Sequence, residues 1–180
     1  MNTYIAYLRG INVGGKNLLP MRELVEILEA TGYEYIETYI QSGNVVFRSK
    51  KKVGKKNASD ISRGILKKKG FEPRVLLLSA GQLEDAIQNN PFSTSNGKAL
   101  HFFFLESEPR QPNLEQLRSI RADSEEFKLT KKVFYLYAPE GVGRSKLAAA
   151  VEKAIGVPVT ARNWTTVSKL ASMAERARQL

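Results

Sequence analysis

The sequence predicts an α+β fold made of two consecutive βαββαβ units, and three observations support this. Short apolar segments alternate with segments whose apolar residues have helical spacing. Turns rich in glycine, proline or asparagine separate most of these segments. The same order of segments then occurs a second time within the 180 residues. A repeated β-α-β-β-α-β order is typical of a duplicated ferredoxin-like fold, with antiparallel sheets and helices on one face.

The first half opens with an apolar strand, and Pro20 suits the first position of the helix that follows. Gly32 is a good stop for that helix, and the polar segment 41–44 predicts a hairpin between two strands. The predicted elements are a strand at 3–9, a helix at 20–31, strands at 35–40 and 44–49, a helix at 58–69, a strand at 72–78 and a helix at 80–88.

The second half repeats this order after a turn-rich segment at 88–98. We therefore expect units at 1–90 and 91–180, which are either separate or parts of one compact domain. Several strands are apolar on both faces, which predicts either packing of the second face or an exposed aromatic platform for binding. The predicted elements are a strand at 101–105, a helix at 114–120, strands at 126–130 and 132–138, a helix at 144–155, a strand at 157–160 and a helix at 164–178.

The charge is strongly uneven along the chain. The net charge is +10, and residues 48–74 contain eleven basic residues against Asp60 and Glu72, so this segment alone carries +9. Concentrated positive charge attracts polyanions, but it is equally consistent with a solvated surface. The chain has no cysteine, which excludes disulfides and thiolate metal sites. Without an apolar span or a basic leader, we expect a cytoplasmic protein that does not contact a membrane.

The loop after the first strand is the best candidate for a site. Residues 10–17 differ by one position from the phosphate-binding pattern G-x-x-x-x-G-K-[ST], because Asn17 replaces the hydroxyl that holds Mg²⁺. An ATPase or GTPase is therefore not expected. Bare amides at Gly14 and Gly15 beside Lys16 are consistent with a general anion site, and equally with a turn that only reverses the chain.

The predicted topology brings further residues to this loop. In a βαββαβ unit the first strand–helix loop and the hairpin at 41–44 lie at the same end of the sheet, and the second helix ends there too. The lysines at 67–69 are then expected to join Arg9, Lys16, Asn12, Ser42 and Asn44 in one polar, cationic rim. The lysines at 50–56 belong at the opposite end and are predicted to be a solvated loop.

Other candidate chemistry is weak. His101 is the only histidine, and no partner for an acid–base pair or a metal site is recognisable, so we expect no metal and no cofactor. Trp164 fits an apolar helical stripe better than a base-stacking role, and either Asn163 or Thr165 is a candidate helix cap. The second glycine turn, at 141–146, contains Ser145 and Lys146, which are consistent with an anion site or simply with a helix start.

Four segments resemble a widespread bacterial family, domain of unknown function 1697: YLRGINVGGKN at 7–17, YIQSGNVVF at 39–47, GVGRSKL at 141–147 and RNWTTV at 162–167. The resemblance spans nearly the whole chain and implies the duplicated ferredoxin-like fold. It implies no activity, because the family is uncharacterised. The candidate ligand-binding residues that it carries over are Arg9, Asn12, Gly14, Gly15, Lys16, Asn17, Gln41, Ser42, Gly43, Asn44, Arg162, Asn163 and Trp164.

Three classes of function are consistent with these patterns. The first is a non-catalytic protein that binds a phosphate-bearing ligand, nucleic acid or nucleotide, through residues 9–17. The second is an enzyme that acts on a small phosphorylated or carboxylated metabolite, which requires a closed pocket. The third is a structural or oligomerisation module; the sequence does not determine the oligomeric state.

Overall fold

The computed structural model describes residues 1–180. The chain forms two compact units. The first unit is Met1–Asp85 with Lys169–Leu180, and the second is Ala86–Ser168. The C-terminal part of the last helix therefore belongs with the first unit. The division into units at 1–90 and 91–180, either separate or parts of one compact domain, stays a prediction.

The first unit has a four-stranded antiparallel sheet in the order β2-β3-β1-β4. Strand β1 lies in the centre, where Tyr4 is opposite Phe47 of β3 and Leu8 is opposite Val75 of β4. The elements are β1 (Asn2–Arg9), α1 (Met21–Ala30), β2 (Glu34–Tyr39), β3 (Asn44–Ser49), α2 (Lys55–Lys69), β4 (Arg74–Ser79) and α3 (Ala80–Gln88).

The second unit repeats this arrangement, with a four-stranded sheet in the order β6-β7-β5-β8. The elements are β5 (Leu100–Leu105), α4 (Leu114–Ile120), β6 (Glu126–Leu129), β7 (Val133–Tyr137), α5 (Lys146–Ile155), β8 (Val159–Asn163) and the beginning of α6 (Trp164–Arg178), whose residues from Lys169 onward belong to the first unit. The predicted α+β class, with duplicated ferredoxin-like units and antiparallel sheets, is confirmed.

Each sheet packs one face against its own helices. In the first unit, Tyr4 and Leu8 of β1 share a buried apolar cluster with Leu24 of α1 and Ile61 of α2. This follows from the period of two in a strand and the three-to-four spacing in a helix. In the second unit, the helix Lys146–Ile155 contributes Val151 to the equivalent cluster. Burial of these side chains is the main stabilising term in each unit.

The opposite faces of the central strands are also buried. Tyr7 of β1 and Phe102 of β5 have no exposed surface. The prediction of an exposed aromatic platform is therefore wrong for these rings. No helix is both long enough and apolar enough to cross a membrane.

One helix begins earlier than predicted. The basic helix α2 starts at Lys55 rather than at residue 58, so Lys55 and Lys56 lie in its first turn and not in a loop. The start is marked by Gly54, whose backbone N–H donates a 3.0 Å hydrogen bond to Asn57 Oδ1. Apolar spacing alone predicts a start at residue 58, because this contact between a side chain and the backbone has no apolar signal.

Candidate functional site

The loop between β1 and α1 is held in place by the side chain of Asn12. Its Nδ2 donates hydrogen bonds to the carbonyls of Leu19, at 2.9 Å, and Gln41, at 2.7 Å. Its Oδ1 accepts a 2.8 Å bond from the backbone N–H of Leu19. The backbone of Asn12 has a φ of 54°, which asparagine tolerates better than most residues. Asn12 thus ties both ends of the loop together and joins the loop to the β2–β3 hairpin.

Asn17 closes the same loop from its other side. Its Nδ2 donates a 2.9 Å hydrogen bond to the carbonyl of Gly10, and its own carbonyl accepts a 3.1 Å bond from the backbone N–H of Asn12. The residue that replaces the Mg²⁺-binding hydroxyl of the phosphate-binding pattern therefore has a positioning role in this fold.

The tip of the loop is a tight turn from Val13 to Lys16. The backbone N–H of Lys16 donates a 3.0 Å hydrogen bond to the carbonyl of Val13, and Gly14 and Gly15 have φ angles of 57° and 74°. Two left-handed residues closed in this way have the geometry of a type I′ turn. All four residues are exposed, and a Cβ on either glycine would meet no atom within 4 Å. The glycines are therefore required by backbone conformation and not by crowding, and their amides form no hydrogen bond within the chain.

The β2–β3 hairpin lies beside this loop, as the topology predicts. The backbone N–H of Leu8 donates a 2.8 Å hydrogen bond to the carbonyl of Gly43. Gly43 has a φ of 77°, and a Cβ on it would lie 2.6 Å from Leu8 Cβ and 2.9 Å from Ile11 Cδ1. Only glycine fits at this position, because both the backbone conformation and the space exclude a side chain.

Two further candidate residues belong to the framework of the hairpin. Asn44 is fully buried, and its Nδ2 donates hydrogen bonds to the carbonyl of Tyr39, at 3.2 Å, and to Ser42 Oγ, at 2.8 Å. Ser42 and Asn44 therefore shape the hairpin next to the loop.

The predicted cationic rim is smaller than expected. Lys68 Nζ lies 2.5 Å from Glu26 Oε2, and Lys69 Nζ lies 2.9 Å from Glu23 Oε2. Hydrogen bonding and proximity to Lys68 hold the pKa of Glu26 below its usual value. These ion pairs connect the last turn of α2 to α1 and confirm that α2 ends beside the loop. These ion pairs also neutralise two of the three lysines. The prediction that residues 67–69 all contribute to the cationic rim is therefore wrong for Lys68 and Lys69, and only Lys67 remains.

The remaining basic residues at this end are exposed. Lys16 lies on the tip of the turn, and Lys67 lies on the last turn of α2. Arg9, the last residue of β1, is opposite Arg74 in the register with β4. The end of the sheet that carries the loop thus has an excess of positive side chains.

The candidates Arg162, Asn163 and Trp164 belong to the second unit. Asn163 Oδ1 accepts a 3.0 Å hydrogen bond from the backbone N–H of Thr166, so its predicted role as a helix cap is confirmed. The ring centroid of Trp164 lies 5.9 Å from that of buried Phe102. Arg162 Nη1 donates a 2.8 Å bond to the carbonyl of Ala161. These contacts give Asn163 and Trp164 structural roles at the start of α6.

The second unit also contains a pocket of about 430 Å³ where α4 ends and α5 begins. Arg144 and Lys146 of the second glycine turn line it, and neither side chain forms an ion pair. The carboxylate of Glu125, also in the lining, is buried and accepts a 3.0 Å hydrogen bond from the backbone N–H of Ala122. The sequence indicated Ser145 and Lys146 but not Glu125 or Glu140, because no pattern connects carboxylates that only the fold brings together.

Residues 1–135 match the family described as "Protein of unknown function (DUF1697)". The chain belongs to the DUF1697 family. The match includes the loop and the hairpin described above. Among curated proteins, none matches this chain.

This DUF1697 chain is also similar to a solved structure, that of the conserved bacterial protein SP0830 from Streptococcus pneumoniae. The two are 26% identical, with a TM-score of 0.65, and the alignment covers 96% of this chain and 98% of that one. The similarity extends over both units, and it supports the duplicated fold.

Proposed function

We propose that this protein binds a phosphate-bearing ligand, nucleic acid or nucleotide, without converting it. The observation that carries this proposal is the Val13–Lys16 turn, in which the amides of Gly14 and Gly15 and the ammonium group of Lys16 are exposed together. Successive backbone N–H groups in a turn form a concavity that suits an anion, and a nearby lysine adds charge.

Preorganisation is the second support. Asn12 and Asn17 form four side-chain hydrogen bonds that hold the base of the loop. A loop that is already in its bound conformation loses less conformational entropy when a ligand binds.

The roles of the candidate residues follow from these contacts. Gly14, Gly15 and Lys16 contact the phosphate, and Arg9 orients the ligand at the end of β1. Asn12, Asn17, Ser42 and Asn44 are positioning residues, because the contacts described above occupy their side chains. The exposure of the turn favours an open binding surface over the closed pocket that a metabolite enzyme requires at this loop.

The test is the binding of a short fluorescent single-stranded oligonucleotide at several salt concentrations. We expect tighter binding at low salt, and we expect Lys16→Ala to weaken it about three- to tenfold and to reduce the salt slope by about 0.7, the value for one single-strand phosphate contact. Lys52→Ala is the matched control, because Lys52 is an exposed lysine between β3 and α2, at the other end of the unit. No binding by the wild type at low salt, or equal losses in the two variants, would contradict the proposal.

The pocket of the second unit favours a second candidate function, binding of a small phosphorylated or carboxylated metabolite. Its volume suits a small ligand, and its lining includes the cations of Arg144 and Lys146 together with the carboxylates of Glu125 and Glu140. A thermal-shift panel of phosphate monoesters and carboxylates tests this candidate. A stabilising ligand should lose its effect in Arg144→Ala and keep it in the exposed-site control Lys128→Ala. If both variants keep the shift, the pocket is not the site.

A further inference from the structure

Three exposed aliphatic side chains surround the anchored loop. Val13, Leu18 and Ile40 are 66%, 59% and 53% exposed. Each is the chain neighbour of a residue in the Asn12 network: Val13 follows Asn12, Leu18 precedes Leu19, and Ile40 precedes Gln41. The hydrogen bonds of one asparagine therefore bring these three side chains to the same end of the sheet as the phosphate-binding turn. We call them the apolar rim.

Ile40 is held in an unfavourable backbone conformation. Its φ is 49°, a left-handed value that a β-branched residue adopts rarely. More than half of the side chain is exposed, so packing within the protein offsets only part of this strain. Asparagine or glycine is the usual residue at such a position in a turn. Strained residues of this kind concentrate at binding sites, where a fixed side chain direction has a use.

The charge beside the apolar rim limits the kind of partner. Lys16 and Lys67 are exposed at this end of the sheet. A partner that fits must present negative charge and apolar faces within a few ångströms of each other. Single-stranded nucleic acid has this chemistry, because each nucleotide joins a phosphate to an unstacked base whose faces pack on apolar side chains. A duplex has the phosphates but hides the base faces.

We infer that the site binds single-stranded nucleic acid, with a phosphate at the Gly14–Lys16 turn and unstacked bases against Val13, Leu18 and Ile40. This inference rests on the proposed function and specifies its ligand. It assigns to the apolar rim the preference for single strands over duplexes, and to the turn the salt-dependent part of the affinity.

The test compares a short oligothymidylate with an abasic oligonucleotide of the same length, which keeps the phosphates and lacks the bases. We expect the wild type to bind the oligothymidylate at least about fivefold more tightly, since packing of the bases on the apolar side chains adds to the phosphate contacts. Ile40→Asn should weaken binding of the oligothymidylate about three- to tenfold and leave binding of the abasic strand unchanged. Its melting temperature should not fall, because asparagine relieves the backbone strain.

Tyr35→Asn is the matched control. Tyr35 is likewise exposed and has a left-handed φ, of 51°, but it lies near the start of β2, whereas Ile40 directly follows the end of that strand. This variant should bind both oligonucleotides as the wild type does. Lys16→Ala should weaken binding of both oligonucleotides, because both carry phosphates.

The outcomes separate the two proposals. The inferred contact with bases is wrong if the wild type binds the oligothymidylate and the abasic strand equally, or if Ile40→Asn leaves the affinity for the oligothymidylate unchanged. The proposed function still stands in that case when Lys16→Ala weakens binding of both oligonucleotides. Duplex binding as tight as single-strand binding also overturns the base contact. If the wild type binds none of these oligonucleotides, both this inference and nucleic-acid binding by the loop are overturned.

Discussion

The Asn12 side chain donates a 2.7 Å hydrogen bond to the carbonyl of Gln41, 29 residues away along the chain. This bond joins the loop after β1 to the hairpin between β2 and β3. With the two bonds to Leu19, it fixes the base of the turn that carries Gly14, Gly15 and Lys16. The candidate site therefore depends on a residue that does not contact the ligand.

The first prediction concerns this anchor. Asn12→Gly keeps the left-handed backbone accessible but removes three side-chain hydrogen bonds. It leaves the backbone N–H of buried Leu19 without an acceptor, so we expect a loss of about 1–3 kcal/mol in the free energy of unfolding. Chemical denaturation measures the loss. Oligonucleotide affinity should fall as well, because the turn is no longer preorganised. An affinity equal to that of the wild type would contradict the positioning role.

The second prediction compares two glycines. Gly43→Ala places a methyl group 2.6 Å from Leu8 Cβ in a left-handed backbone, whereas Gly14→Ala adds only the backbone strain. We expect a loss of about 1 kcal/mol for Gly14→Ala and at least twice that for Gly43→Ala. Urea denaturation of both variants measures the difference. Equal losses would mean that the hairpin moves away from β1 at little cost.

The third prediction concerns alkaline pH. The hydroxyl of buried Tyr135 donates a 2.6 Å hydrogen bond to the carbonyl of Ala86, and burial raises the pKa of Tyr135 to about 12. The pKa of Tyr135 in the folded protein lies above the value of about 10 in the unfolded chain. The protonated hydroxyl therefore contributes fully to the free energy of unfolding below pH 10, and this contribution is lost as the pH rises towards 12. The loss amounts to about 2–3 kcal/mol. Tyr135→Phe should show a correspondingly smaller decrease in unfolding free energy between pH 9 and 12. Parallel curves for the two proteins would refute this assignment.

The fourth prediction concerns acid pH. Burial lowers the pKa of His101, and this effect outweighs a backbone hydrogen bond with Ala99 that acts in the opposite direction. The imidazole of His101 therefore binds a proton more readily in the unfolded chain than in the folded protein. The contribution of neutral His101 to the free energy of unfolding should be fully present above pH 6.5 and should decrease below that pH. His101→Gln removes this titration, so its stability should depend less on pH between 7 and 5. Thermal melts across that range test the prediction, and an unchanged slope would show that other groups cause the dependence.

The sequence predicts the order of elements well because β-α-β-β-α-β patterning leaves few alternatives once each apolar period is recognised. It also predicts that residues 10–17 and 41–44 are neighbours, since the topology requires it. The start of α2 was missed because Gly54 and Asn57 mark it through a backbone contact, not through apolar spacing.

The details of the site were harder to predict. The sequence assigned Asn12 to the ligand because its internal partner, Gln41, is distant along the chain. It assigned Lys68 and Lys69 to a free cationic rim, although Glu26 and Glu23 on the adjacent helix pair with them. The left-handed backbone of Ile40 could not be predicted from the residue type, because isoleucine rarely adopts that conformation.

The most direct measurement of the central claim is an NMR titration of ¹⁵N-labelled protein with a short oligothymidylate at low salt. We predict saturable shifts of the Gly14 and Gly15 amide resonances, with weaker affinity in Lys16→Ala and wild-type behaviour in Lys52→Ala. If these two amide resonances stay in place while the oligonucleotide binds, or if nothing shifts at any concentration, the turn does not bind phosphate and the account is contradicted.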